Sequence, residues 1–237
     1  MAHHACSVGR DAAIKGDRRC AIRKLLVAAG ALGAYAAALY EGAVWGSTRQ
    51  ERRRFLPSDD LCPDSMITTN HAITIDVPPL AVWPWLVQMG WHRGGWYTYR
   101  WVDRLLFPAN EPSAVAVLPE LQDLRMGDHI PDGGPETGCF FVVEGIEEGN
   151  LLVLRSTTHL PPWPPNRWLD WVWTYTLEDR GNGGTRLLLR TRAELGPAVL
   201  VWAYRALLWT DFVMARSHLQ GIKHRAEGMP FVSRARP

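Results

Sequence analysis

Little in this sequence asks for a metal, a redox centre or a nucleic acid. The four cysteines, Cys6, Cys20, Cys62 and Cys139, are scattered and form no C-x-x-C pair, which argues against a zinc site. A disulfide framework is equally out of keeping with so apolar a chain, and the cysteines do not decide the compartment. The eight histidines show no metal-ligand spacing; His3 and His4 are merely adjacent near the start. The net charge of +2 and the lack of a dense basic stripe give no reason to expect nucleic acid as a partner. There is no G-x-x-x-x-G-K-S/T or G-x-G-x-x-G loop, no G-x-S-x-G elbow and no H-E-x-x-H helix. No motif therefore calls for a cofactor.

What is present is length and tryptophan. The 237 residues fit one domain of roughly 170 residues behind an N-terminal extension. Twelve tryptophans are an excess. They suit a bulky core, an aromatic-lined pocket or a membrane-facing belt.

Residues 1–24 are polar, carry Arg10, Lys15, Arg18, Arg19, Arg23 and Lys24, show no apolar periodicity and read as a disordered basic tail. Residues 25–40 then run uncharged, and the apolar stretch resumes after Glu41 to residue 46. A bilayer core needs about 20 such residues. Residues 25–46 are accordingly expected to be a transmembrane anchor, with Tyr40 and Trp45 at the interface. A cleaved signal peptide and a helix outside any membrane stay open as alternatives. Six basic residues precede the segment and Arg49, Arg52, Arg53 and Arg54 follow it. That balance leans towards the N-terminus inside and the folded domain outside the cytoplasm. Residues 47–68, charged and holding Pro57 and Pro63, suit a linker.

From residue 69 the patterns are those of an α+β domain. Residues 69–76 alternate as a strand. Pro78 and Pro79 stop it, Pro79 fits a first helical position, and Pro84 predicts a kink in the dense apolar helix that follows. Gly90, Gly94 and Gly95 end that helix in an aromatic loop whose glycines permit tight turns. Tyr99, Val102, Leu105 and Leu106 predict a second short helix within 96–107. Strands are expected at 128–131, 139–147 and 151–156, with loops at 108–127 and 157–168. Residues 170–177 give the cleanest alternation: Trp171, Trp173, Tyr175 and Leu177 face one way, Val172, Thr174 and Thr176 the other. Strand 185–193 follows the turn at 181–184. The pair predicts an antiparallel sheet covered on one side only. A long helix starting at Pro197 carries Val201, Tyr204, Leu208, Phe212, Ala215, Leu219 and Ile222 on one stripe. Residues 229–237 are a C-terminal tail.

Candidate acids and bases are His92, Asp103, His129 and His159, none with a partner at local spacing. Arg93, Arg155, Arg190 and Arg192 are either solvated charges or a cradle for an acidic head group.

The strings ITIDVPPLAVWPWLVQMG, RGGWYTYRWVDRLL, LPELQDLRMGDHIP, LLVLRS, WTYTLEDRGNGGTRLLLRTR and HLQGIKHRAEG together resemble the START/Bet v 1-like superfamily, also called SRPBCC or polyketide cyclase-like. More narrowly, the chain resembles its bacterial branch with one membrane segment ahead of the domain. The resemblance covers roughly residues 56–228 and implies a helix-grip fold over 69–228: a curved antiparallel sheet around a long C-terminal helix. It also implies a cavity between sheet and helix that takes a hydrophobic small molecule or lipid. The pocket candidates are then Trp96, Tyr99, Trp171, Trp173, Tyr175 and Phe212, unless these rings simply fill the space. The superfamily hosts carriers, cyclases and hydrolases alike. A cyclase- or hydrolase-like enzyme on a hydrophobic substrate therefore stays open. So does an interaction domain at the membrane surface that uses Trp163, Trp168 and the start of the last helix.

Overall fold

A computed structural model describes residues 5–106 and 111–228, with side chains from Ile22 onward other than those of Asp103 and Leu106. The expected tail at 229–237 lies outside the described residues. The chain divides after Glu41 into two compact units.

The first unit is helical. Helix α1 (Ala5–Ala43) starts well ahead of the apolar segment. The stretch expected to be disordered is thus helical from Ala5: it contains no proline, and its alanines, lysines and arginines all favour helix. Within α1, Ile22–Ala43 is long and apolar enough to cross a membrane. Its large side chains, among them Leu25, Leu26, Val27 and Leu32, stand exposed. An exposed apolar helix at this position has the character of a single span or of a signal sequence.

The second unit holds the sheet. Its elements are α2 (Arg49–Arg53), β1 (Ile67–Ile75), α3 (Pro79–Val87), α4 (Arg100–Leu106), β2 (His129–Pro131), β3 (Phe140–Glu147), β4 (Leu151–Ser156), β5 (Trp168–Asp179), β6 (Thr185–Gly196), α5 (Ala198–Ala206) and α6 (Leu208–Ala226). Six antiparallel strands run in the order β1-β6-β5-β4-β3-β2, so the first strand closes against the last. Pro79 opens α3 and Pro84 lies inside it. Val82, Trp83, Trp85 and Leu86 of α3 join Leu219 and Ile222 of α6 and Ile75, Tyr175, Leu187 and Leu189 of the sheet in the main core.

Three expectations change. First, the C-terminal helix is two helices. α5 and α6 meet at Leu207 with a bend of 57°. No proline or glycine causes it. The break lets Leu200 and Val201 of α5 bury against Ile67, Leu169, Ala193 and Leu195, while α6 turns back to the main core.

Second, residues 47–68 are not a bare linker. Thr48 and Glu51 form a reciprocal capping box at α2, and Pro57–Leu61 makes a 3-10 turn. Third, these pieces cover the outer face of the sheet, which is therefore buried on both sides over part of its area. Arg190 is 3% exposed and donates to Asp59 Oδ2 at 2.7 Å, Asn70 Oδ1 at 2.8 Å and the carbonyls of Arg54 and Glu51. Arg192 donates to the carbonyls of Cys62 and Pro63. Arg186 pairs with Glu51. Strand β6 thus sends alternate arginines outward, and the preceding segment supplies their acceptors.

Candidate functional site

The inner face of the sheet carries a graded set of side chains. Cross-strand rows read Ile67–Ala193–Trp171, Thr69–Thr191–Trp173 and His71–Leu189–Tyr175 from β1 through β6 to β5. From the last row onward, Leu189 and then Leu187 join Leu219 and Ile222 in the main core, and the interior is filled. In the first two rows the short Ala193, Thr191 and Thr69 leave space beneath the helices. A cavity of about 280 Å³ opens there, between the sheet and the α5–α6 bend. That is near the lower end of ligand pockets, about 300 Å³. Leu169, Leu189, Leu208, Met214 and Ala215 line it with the tryptophans, and Tyr204 and Leu207 border it at the bend. Leu207 is also 54% exposed, so the cavity reaches the surface beside the bend.

Of the expected pocket residues, Trp96, Trp171 and Trp173 line this cavity. The other three do not. Tyr175 is fully buried in the core, with its hydroxyl on His218 Nε2 at 3.0 Å. Strand alternation put it on the correct face but one row too deep. Tyr99 turns its hydroxyl to Gln220. Phe212 packs on Trp45, with ring centroids 6.3 Å apart; on α6 it follows Asp211, and it is Asp211 that faces the cavity.

The arginines offered as a cradle are engaged elsewhere. Arg93 caps α3 through the carbonyls of Met89 and Val87. Arg155 makes a bidentate pair with Asp170. Arg190 and Arg192 lie on the outer face. None of the described residues lining the cavity is Lys or Arg.

Of the candidate acids and bases, His92 is exposed beside Glu111 and His129 stacks on Phe140. The side chain of Asp103 lies outside the described residues. His159 is different. With its ring proton on Nε2 it donates to Asp132 Oδ2 at 2.9 Å, and its Nδ1 accepts the Ser156 hydroxyl proton at 2.6 Å. Asp132 lines the cavity, and Phe141 and Trp171 pack on the His159 ring. A carboxylate held by a histidine at an apolar cavity is suited to taking up or returning a proton.

Sequence reading missed three further polar groups. His218 lines the cavity, donates from Nδ1 to the Trp96 carbonyl at 2.5 Å and accepts from Tyr175 at Nε2. Burial pushes its pKa down to about 4, so it stays neutral. Asp211 also lines the cavity, with its Oδ2 shut from solvent. Burial pushes its carboxyl up, against the pull of His71 and Thr69. His71 donates from Nε2 to the Gly42 carbonyl at 2.8 Å, and burial pushes its ring down. The available signal was an aspartate and a histidine interrupting the apolar run of the last helix. Among the described residues, no group of His, Cys, Asp and Glu is arranged to hold a metal ion.

The chain matches no family model and no curated protein. The solved structures it is similar to include three bacterial proteins. The first is hypothetical protein jhp0584 from Helicobacter pylori, with 11% identity over 71% of this chain and 93% of that one and a TM-score of 0.45. The second is protein MLL2253 from Mesorhizobium loti, with 17% identity over 66% and 96% and a TM-score of 0.40. The third is CalU16 from Micromonospora echinospora, with 17% identity over 71% and 88% and a TM-score of 0.33.

Proposed function

We propose that this chain is a membrane-anchored domain of the START/Bet v 1-like type that binds a hydrophobic small molecule or lipid between its sheet and its C-terminal helices. One observation carries the reading: the cavity of about 280 Å³ walled by Leu169, Trp171, Trp173, Leu208 and Met214. Burying an apolar ligand there gains about 25 cal/mol per Å² removed from water. The exposed helix Ile22–Ala43 supports the anchor.

Two measurements test the pair of claims. Native mass spectrometry of the full chain is expected to show a copurified apolar compound, or uptake of an added one. Ala193→Trp, which fills the floor of the cavity, is expected to abolish that uptake in a folded protein. Uptake unchanged in the filled variant would refute the site. The intact mass of the membrane-extracted protein separates a retained anchor from a cleaved signal.

An enzyme acting on a hydrophobic substrate is the second reading, favoured by Asp132 at the cavity wall with His159 behind it. Asp132 would take a proton from carbon next to a carbonyl and return it. Solvent-deuterium exchange at that carbon in a bound ketone is the check. Exchange equal in wild type and Asp132→Asn would sink this reading. The interaction reading draws support from Trp163, Trp168, Trp202 and Trp209, all exposed.

A further inference from the structure

We propose that the cavity selects a small organic cation, a free amine or quaternary ammonium with an apolar body, whose charge sits between the Asp132 carboxylate and the Trp171 ring. The proposal rests on the ligand-binding reading above and names the chemical class of the ligand.

Charge comes first. Asp132 lines the cavity, and its side chain is 24% exposed, so the carboxylate is not sealed into the wall. Its Oδ2 takes the His159 Nε2 proton at 2.9 Å, while Oδ1 receives no hydrogen bond from a described residue. With no Lys or Arg among the described lining residues, nothing on the wall offsets that charge. The other ionisable groups do not supply a cation: burial keeps His218 neutral and pushes the Asp211 carboxyl up, away from its charged form.

The rings lie beside the charge. His159 touches both partners: its Nε2 holds Asp132, and its ring meets Trp171 edge-on with centroids 5.3 Å apart. Carboxylate and indole thus share one imidazole as neighbour, which puts both within reach of one head group. Trp173 stands 5.1 Å from Trp171, centroid to centroid, and Trp96 stands 5.7 Å from Trp173. Aromatic faces attract cations, and more strongly where water is excluded.

Other ligand classes fit less well. A volume of about 280 Å³ has room for a small molecule but not for the two chains of a membrane lipid. The phosphate of a phospholipid head group, like a fatty-acid carboxylate, would lose its hydration with no cation to replace it and would face Asp132. A pure hydrocarbon would cover the apolar wall but strip water from the carboxylate without giving it a partner.

The test uses the full chain in non-ionic detergent at neutral pH and three probes of similar size: benzyltrimethylammonium, its uncharged carbon isostere neopentylbenzene, and phenylacetate. Binding is read from tryptophan fluorescence. The cation is expected to bind about tenfold or more tightly than either of the others. Asp132→Asn keeps the shape and removes the charge, and Trp171→Leu keeps an apolar wall and removes the ring. Both change the wall, so absolute affinities are free to move and the readout is the cation-to-isostere ratio within each folded protein. Uptake of the isostere by detergent is the same for every protein and cancels between them. The ratio is expected to fall to about one in Asp132→Asn and by about threefold in Trp171→Leu. Should Asp132→Asn fail to fold, the wild-type affinities and Trp171→Leu decide. Equal affinities for cation and isostere, phenylacetate binding as tight as the cation, or a ratio unchanged in either folded variant would overturn the selectivity and leave the cavity reading standing. If none of the three probes binds to the folded wild type, the cavity reading falls and the selectivity with it.

Discussion

Tyr175 gives its hydroxyl proton to His218 Nε2 across 3.0 Å, and His218 hands its own Nδ1 proton to the Trp96 carbonyl. The relay ties the sheet to α6 and α6 to the loop that carries a cavity tryptophan. It needs His218 neutral, and burial secures this by lowering its pKa to about 4. The unfolded chain takes up that proton near pH 6.5 and the folded chain does not. Stability is therefore complete above pH 6.5 and declines as pH falls towards 4, by on the order of 3 kcal/mol from this group. His71, also lowered, acts in the same direction, and Asp211, raised, acts against both. Urea midpoints between pH 7 and 4 are expected to fall less steeply in His218→Gln than in wild type. Parallel slopes would show that the histidine does not titrate this way.

Gly221 lies where α6 crosses the aromatic loop. A Cβ there would stand 1.9 Å from the Tyr97 carbonyl oxygen and 2.8 Å from Tyr97 Cβ. In an exposed helix, Gly→Ala gains up to about 1 kcal/mol. Here the gain is replaced by a backbone clash, and Gly221→Ala is expected to lose about 2 kcal/mol, within the range of overpacked cores. Thermal unfolding reports the sign directly.

The Arg190–Asp59 pair on the outer face is the second stability test. Both residues are buried, and Arg190 has further acceptors on Asn70, Arg54 and Glu51. Asp59→Ala leaves the guanidinium buried without its counter-charge and is expected to cost about 3–5 kcal/mol. Limited proteolysis should then cut within residues 49–63 before it cuts the sheet.

The two cysteines whose side chains are described should differ in reactivity. Cys62 has no exposed surface, and burial, helped by the charges of Glu194 and Asp170, pushes its thiol up to about 12. Cys139 is half-buried at the start of β3. Peptide mapping after a short iodoacetamide pulse at neutral pH is expected to find Cys139 modified and Cys62 untouched.

The regular parts of the fold were legible because they follow from period and punctuation. Trp171, Trp173 and Tyr175 alternate, the turn at 181–184 is glycine-rich, and Pro78 and Pro79 mark where β1 yields to α3. The bend at Leu207 has no such signature. It comes from two helices answering to different hydrophobic clusters, a tertiary effect with no local breaker residue. The site was half legible for the same reason. Alternation named Trp171 and Trp173, but could not say that the cavity ends short of Tyr175 and leaves it in the core. Asp132 and His159 are 27 residues apart, and their pairing depends on the path of two loops. The packing of residues 49–63 was hidden because Arg190 and Arg192 look solvated until their acceptors fold over them.

The break in the C-terminal helix also separates two fastenings. α5 is held by Leu200 and Val201 on one small cluster, and α6 by Leu219 and Ile222 on the main core. Leu208, the first residue of α6, also leans on the smaller cluster, so the passage at Leu207 lies between the two fastenings. The wall of the cavity at the bend is thus held by a handful of aliphatic contacts, apart from those that hold the main core.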